Sequence, residues 1–71
     1  MLDKFQELVN SGIPPIMNTV QLAEFLGWST HTVIVHRTRG TGPEWSKIGR
    51  SIRYQLRDVL DWLDSQKNGG E

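Results

Sequence analysis

Cysteine is absent from this sequence of 71 residues. The chain therefore has no disulfide, no thiolate nucleophile and no zinc site with cysteine ligands. It also lacks any apolar run near the roughly 18 residues that a membrane span needs, and its N-terminus lacks the pattern of a signal peptide. We therefore expect a soluble, intracellular protein that contacts no membrane.

Catalytic patterns are missing as well. A chain of 71 residues allows one small domain, which leaves no room for a deep cleft between two lobes. The sequence offers no Ser/His/Asp order and no pair of carboxylates that could be placed in such a cleft. The loop Gly40–Pro43 lacks the Gly-Lys-Ser/Thr ending of a phosphate-binding loop. His31 and His36 are five residues apart, about 140° on a helix, which disfavours a shared metal. We expect no catalytic residue, metal, cofactor or small-molecule substrate.

Net charge is absent too, because eight Lys and Arg balance eight Asp and Glu. The distribution is uneven. Residues 31–57 carry six basic residues against Glu44 alone, whereas residues 1–30 have a net charge of −2 and residues 58–71 a net charge of −3. A basic segment between acidic ends is typical of nucleic-acid binding, although a solvated basic face would have the same composition.

The first stretch with helical spacing covers residues 2–9, where Asp3 is placed to cap the helix. The Gly and Pro residues between positions 11 and 16 end it, since proline cannot continue a helix. We therefore predict a linker over residues 11–16. A second helix is predicted over residues 18–26, with Asn18 as its N-cap.

The third helix is predicted over residues 30–39, capped by Ser29 through the amide of Thr32. Its β-branched residues favour a strand by propensity alone. The short turn Gly27-Trp28-Ser29 after a capped helix is typical of a helix-turn-helix unit, which favours the helix. Val33 and His36 are expected to face the core.

A hairpin is predicted after the Gly- and Pro-rich loop, because apolar residues flank the turn Gly49-Arg50-Ser51. With a three-residue loop, Ile48 pairs with Ile52 and both face the core. Lys47 then pairs with Arg53 on the opposite face, where two like charges favour an anionic partner, although solvent screening makes the pair tolerable without one.

The last helix is predicted over residues 56–66. Its apolar stripe contains Leu56, Val59, Leu60 and Leu63. All three tryptophans are expected to pack in the core: Trp28, Trp45 and Trp62.

Several segments in this order resemble the excisionase and AlpA-type winged helix-turn-helix family, whose members are related to the N-terminal domains of MerR-type regulators. The resemblance covers about residues 17–64. It is carried by Leu22-Ala23-Glu24-Phe25-Leu26-Gly27-Trp28-Ser29, Arg37-Thr38-Arg39-Gly40-Thr41-Gly42-Pro43, Lys47-Ile48-Gly49-Arg50-Ser51-Ile52-Arg53-Tyr54, Asp58-Val59 and Trp62-Leu63.

The resemblance implies a mostly helical winged helix-turn-helix fold with a small β-hairpin wing. Residues 17–66 would form this domain, after an N-terminal amphipathic helix and linker in residues 1–16 and before a flexible tail in residues 67–71. It also implies a sequence-specific binder of double-stranded DNA from a phage or mobile element. Such an excisionase bends attachment-site DNA and assists an integrase.

The resemblance further implies which residues contact DNA. A recognition helix would enter the major groove, and a wing would lie on the backbone or in the minor groove. The recognition residues would be Thr30, His31, Val35, Arg37 and Thr38, the wing residues Lys47, Arg50, Ser51 and Arg53, and the phosphate contacts Arg39 and Arg57. Arg37 is the strongest candidate for a contact with guanine or phosphate because a guanidinium is a planar fork, although an internal ion pair is the alternative.

Other functions remain open on the sequence. One is a transcriptional regulator of the AlpA type, and another is the small subunit of a DNA-packaging complex. A third is a protein-interaction adaptor, in which the helix of residues 2–10 supplies an apolar face for a second copy or an integrase-like partner. Copies of the chain are also expected to associate on DNA.

Overall fold

A computed structural model describes residues 3–69, which form four helices and one three-stranded antiparallel sheet of order β1-β3-β2. The elements are α1 (Lys4–Asn10), β1 (Ile16–Met17), α2 (Thr19–Leu26), α3 (Thr30–Arg39), β2 (Ser46–Ile48), β3 (Ser51–Gln55) and α4 (Leu56–Gly69). The expected fold class, a winged helix-turn-helix with a β-hairpin wing, is confirmed.

Local capping chemistry sets the start of the first two helices. The Asp3 side chain accepts a hydrogen bond from the Gln6 amide at 2.8 Å at the start of α1. At the start of α2, the Asn18 side chain accepts from the Gln21 amide at 2.8 Å, and the Gln21 side chain accepts from the Asn18 amide at 2.9 Å. This reciprocal pair satisfies two amides that the helix leaves without partners. Both predicted N-caps are confirmed.

The turn between α2 and α3 forms as the sequence predicts. Gly27 ends α2 with φ of 73°, a left-handed conformation that favours glycine. The Ser29 hydroxyl then accepts from the Thr32 amide at 3.1 Å and caps α3. The cap and the packing of Val33, which is 2 % exposed, override the β propensity of this segment.

The segment predicted as a linker contains a strand. Ile16 and Met17 form β1 and pair with Gln55 and Tyr54 of β3. The preceding residue contributes as well, because the Pro15 carbonyl accepts from the Leu56 amide at 2.8 Å. The linker prediction was wrong for Ile16, since a two-residue strand is too short to show an alternating pattern in the sequence.

The predicted hairpin exists, but its register was wrong. Ile48 pairs with Ser51 and Lys47 pairs with Ile52, which leaves a two-residue turn of Gly49 and Arg50. Gly49 has φ of 63°, and the positive φ at the first turn residue is typical of the type II′ hairpin turn. A slip of one residue moves a side chain to the other face of the sheet, so Ile48 is 66 % exposed and does not reach the core.

The same register separates the two basic residues that were predicted to pair. Arg53 lies opposite Ser46, and Lys47 lies opposite Ile52. Because side chains alternate between the two faces of a strand, Lys47 and Arg53 project from opposite faces of the hairpin. The predicted like-charge repulsion across the ladder is therefore absent.

The core lies where α2, α3 and α4 meet β1 and β3. Its buried residues are Met17, Leu22, Ala23, Val33, Tyr54, Leu56 and Val59. Phe5, Leu8 and Val9 of α1 pack against this cluster from one side. Leu63, predicted on the apolar stripe of the last helix, is 36 % exposed. Trp45 is 44 % exposed, so its predicted core position was wrong, because the edge strand β2 that follows it has no buried residue.

The last helix is longer than predicted. It continues through Lys67 to Gly69, so the predicted flexible tail of residues 67–71 is helical in its first three residues. Leu2, Gly70 and Glu71, which the sequence assigned to the first helix and the tail, lie outside the described residues. Among residues 3–69, no helix is long and apolar enough to cross a membrane.

Candidate nucleic-acid interface

The exposed side of α3 carries most of the residues predicted for the recognition helix. Thr30, His31 and Thr38 are exposed and Val35 is half-buried. At 100° per residue, these four side chains lie within an arc of about 140°. Val33 lies outside this arc and is buried in the core. The structure therefore brings four of the five predicted recognition residues to one face of α3.

Ile34 lies in the same arc and was not among the predicted site residues. Its side chain is 42 % exposed, between Thr30 and Thr38 on the helix surface. Sequence patterning places it on the exposed side of α3, but it was not included among the predicted contacts, although its apolar neighbour Val35 was. In a major groove, an apolar side chain at this position can contact the methyl group of thymine.

Arg37 lies at the edge of this face and makes two contacts inside the protein. Its Nη1 atom donates to the Thr19 hydroxyl and to the Tyr54 hydroxyl, each at 3.2 Å. The guanidinium therefore joins the start of α2 to the middle of the sheet. An internal role was the alternative that the sequence left open, here with neutral hydroxyls instead of a carboxylate. Three of its five N–H donors remain for another partner.

A cluster of aromatic and polar side chains holds the C-terminal half of α3 against α4. The His36 ring stacks on Trp28 with 4.7 Å between centroids, and Trp28 meets Trp62 edge to face at 5.8 Å. Thr41 joins the cluster through its hydroxyl, 2.7 Å from Nδ1 of His36, and through its carbonyl, which accepts from Nε1 of Trp62 at 3.1 Å. Trp28 packs against the core as expected, whereas His36 and Trp62 are half-buried and pack on Trp28. These contacts fix the angle at which α3 presents its exposed face.

The hairpin of β2 and β3, called the wing below, carries the predicted wing residues at and near its tip. Arg50 is exposed in the two-residue turn, and Lys47 is exposed on β2. Ser51 and Arg53 are half-buried on β3, where Nη1 of Arg53 donates to the Ile52 carbonyl at 2.9 Å. This contact holds the Arg53 side chain along its own strand.

The two predicted phosphate contacts lie in different places. Arg39 is exposed in the last turn of α3, close to the predicted recognition residues in the sequence. Arg57 is in the first turn of α4, and its Cζ atom lies 4.0 Å from the centroid of the Phe5 ring of α1. A cation over an aromatic ring is an attractive contact of about 0.5–1 kcal/mol at an exposed site. Arg57 therefore supports the packing of α1 and is not grouped with the wing.

Charge is divided between the elements in the way that the sequence predicts. The segment from α3 to β3 has Glu44 as its one acidic residue, whereas the exposed acidic residues Asp61 and Asp64 lie on α4. Within the described part of the chain, no group of three His, Asp or Glu residues is arranged to hold a metal ion. The basic residues that α3, the following loop and the wing carry can attract an anionic polymer, because a duplex favours positive charge along its backbone.

Comparison with known proteins agrees with this geometry. A family model described as a helix-turn-helix domain matches residues 16–67. The match begins at β1, includes α2, α3, the wing and most of α4, and excludes α1. No curated protein matches the chain. Because the match covers more than two thirds of the residues, the chain belongs to the helix-turn-helix domain family and is a DNA-binding protein of that family.

Proposed function

We propose that the chain is an excisionase of a phage or mobile element. It binds a specific site on duplex DNA with α3 in the major groove and the wing against the adjacent backbone or minor groove. The bound DNA bends, and an integrase then carries out the excision reaction. In this proposal the chain has no catalytic residue and no cofactor, and it acts in the bacterial cytoplasm.

The observation that carries the proposal is the exposed face of α3 together with the basic residues of the wing. The exposed arc of α3 presents hydroxyl and imidazole groups that can bond to base edges or to phosphates. The wing adds Lys47, Arg50 and Arg53, with one acidic residue between Thr30 and Arg57. The exposed acidic residues Asp61 and Asp64 make α4 unfavourable for contact with DNA, which supports a DNA surface of limited extent.

Each predicted contact residue has a proposed role. Thr30, His31, Val35 and Thr38 read base edges in the major groove. The three donors of Arg37 that are free of internal contacts bind a phosphate at the edge of α3. Arg50 and Lys47 bind the duplex from the tip of the wing, with Ser51 and Arg53 behind them. Arg39 is proposed as a phosphate contact next to α3. Arg57 lies against Phe5 of α1, so it is proposed as a phosphate contact only for a duplex that bends far enough to reach it.

A transcriptional regulator would use the same surface, because the family assignment fits both functions. The surroundings of the gene separate them. An adjacent integrase gene favours the excisionase, and a divergent promoter that the protein occupies favours the regulator. The adaptor hypothesis has less support, since within the described residues Phe5, Leu8 and Val9 of α1 already pack against the core.

The primary test is a gel-shift titration at two salt concentrations with duplexes from the neighbourhood of the gene. We expect log K to fall linearly with log salt, with a slope of about −0.9 for each phosphate neutralised. Footprinting then defines the protected site. Failure of the folded chain to bind any of these duplexes would refute a DNA-binding function on that DNA.

Charge-matched variants show whether binding uses the proposed surface. Arg50→Ala combined with Arg53→Ala removes two positive charges from the wing. Lys4→Ala combined with Lys67→Ala removes two exposed positive charges from α1 and α4 and serves as the control. We expect the wing variant to bind more weakly with a shallower salt slope, and the control to bind like the unchanged chain. Equal effects would mean that only total charge matters.

The finer part of the proposal requires the recombination reaction itself. We expect excision by the cognate integrase on attachment-site DNA to require the chain, and the wing variant to lose this effect. Light scattering of the protein on DNA reports whether neighbouring copies associate, which we propose together with the integrase contact. If the protein binds a promoter and excision proceeds equally without it, the regulator is the better assignment.

A further inference from the structure

The most exposed apolar side chain on the wing is Ile48. It is 66 % exposed, and large apolar side chains outside the wing are less exposed, such as Ile16 at 55 % and Trp45 at 44 %. Its partner across the ladder is Ser51, which offers little apolar surface. A single exposed isoleucine is common on protein surfaces. The position of this one, however, places it beside the groups proposed to meet DNA.

Ile48 is the last residue of β2 and directly precedes the turn of Gly49 and Arg50. Its side chain therefore lies at the end of the wing, next to the guanidinium of Arg50 in the sequence. Two paired strands are about 4.8 Å apart between backbones, so a hairpin with its side chains is too wide for a minor groove of about 6 Å. Only side chains at the tip can enter such a groove unless it widens.

A cation and an apolar group at one tip have different effects in a minor groove. A narrow groove attracts arginine through its enhanced negative potential. An apolar side chain gains no hydrogen bond from base edges, but it can insert at a base step, unstack it and bend the duplex away from the protein. The wing carries both groups at its tip, because Ile48 directly precedes the two-residue turn and Arg50 lies within it.

We propose that Ile48 is an apolar wedge that enters the minor groove beside Arg50, opens a base step and produces part of the bend. This inference rests on the proposed binding of duplex DNA and adds the residue that deforms the DNA. The wedge contributes to bending more than to the number of phosphate contacts. Flexible pyrimidine–purine steps under the wing should therefore favour binding, because they cost less to unstack.

Ile48→Thr tests the wedge with a change that keeps β-branching and strand propensity. Ile16→Thr is a matched control, because Ile16 is also exposed but lies on β1, at the end of the sheet away from the turn. Both variants should remain folded, which circular dichroism and thermal unfolding check. The DNA is the site that the unchanged chain protects, labelled at both ends for energy transfer and carrying 2-aminopurine at steps under the wing.

We expect the unchanged chain and Ile16→Thr to bend the duplex equally and to raise the fluorescence of one 2-aminopurine step. Ile48→Thr should bend it less, lose the fluorescence increase and bind roughly tenfold more weakly. Its salt slope should stay the same, since no phosphate contact is removed.

The result that overturns the wedge is an Ile48→Thr variant with the same bend and the same 2-aminopurine signal as the unchanged chain. In that case DNA binding stands and Ile48 is a surface residue. Loss of association between copies, with bending unchanged, also overturns the wedge and assigns Ile48 to a protein contact. If the unchanged chain binds no duplex, both the wedge and the proposed function fail.

Discussion

Replacing Arg37 by alanine should destabilise the fold more than any other change of an arginine. Nη1 of Arg37 donates to the hydroxyls of Thr19 and Tyr54, and the Tyr54 side chain is almost fully buried, with 1 % of its surface exposed. The change removes two hydrogen bonds from a charged donor and leaves a buried hydroxyl without this partner. Hydrogen bonds to charged groups contribute about 1.5–3 kcal/mol each, and an unsatisfied buried hydroxyl costs about 1–3 kcal/mol.

The lower end of these ranges applies here. Both distances are 3.2 Å, at the long end for an N–H to oxygen bond, and Arg37 is half-buried and still reached by water. We therefore expect Arg37→Ala to lower the free energy of unfolding by about 3 kcal/mol, twice the lower value for one hydrogen bond to a charged group. For a domain of this size, that loss lowers Tm by about 10–20 °C.

Urea unfolding followed by circular dichroism measures this loss, with Arg39→Ala as the control. Arg39 is on the same helix and exposed, so its replacement should change the free energy of unfolding by less than about 0.5 kcal/mol. A double-mutant cycle with Tyr54→Phe should give a coupling energy of about 1 kcal/mol between Arg37 and Tyr54. The reasoning is refuted if Arg37→Ala unfolds at the same urea concentration as Arg39→Ala, or if the coupling energy is zero.

Three further changes test the packing, the wing turn and a helix cap. Leu56→Ala removes a side chain with no exposed surface and should lower the free energy of unfolding by about 2–5 kcal/mol. Leu63→Ala on the same helix removes a side chain that is 36 % exposed and should lower it far less. The midpoints of urea unfolding compare the two variants. Gly49→Ala forces alanine to a φ of 63° and should lower the free energy of unfolding by about 1 kcal/mol. We expect a lower Tm, and an unchanged Tm would mean that the turn takes another conformation. Ser29→Ala removes the oxygen that accepts from the Thr32 amide, so it should lower the free energy of unfolding by about 1 kcal/mol and reduce the helical circular dichroism signal. Gln66→Ala on the exposed surface of α4 is the control.

The helix starts were predictable because their chemistry is local. Asn18 and Gln21 are three residues apart, as are Ser29 and Thr32, and each pair bonds within its own first turn. The sequence shows such pairs directly. The same holds for the basic segment of residues 31–57, because the order of charged residues along the chain is known from the sequence without the fold.

The errors arose where distant residues decide the structure. Strand β1 exists only because Ile16 and Met17 pair with residues 37 or more positions later in the chain. The wing register depends on whether the turn holds two or three residues. The apolar residues Ile48 and Ile52 favoured a three-residue turn that pairs them, whereas the observed turn holds two residues and leaves Ile48 exposed. The contacts of Arg37 span 17 and 18 residues, and no local pattern indicates them.

The two roles of Arg37 can be separated by one pair of measurements, because stability and DNA binding depend on different atoms of its side chain. Nη1 holds α2 and β3 together, while the remaining donors are proposed to bind phosphate. Tyr54→Phe weakens only the first role, so it should lower stability and leave the salt slope of DNA binding unchanged. Arg37→Ala weakens both, so at a temperature where it is fully folded its slope should be smaller by about 0.9, the value for one lost phosphate contact. If Arg37→Ala loses stability but keeps the full slope, Arg37 shapes the recognition surface from inside the fold and does not bind DNA.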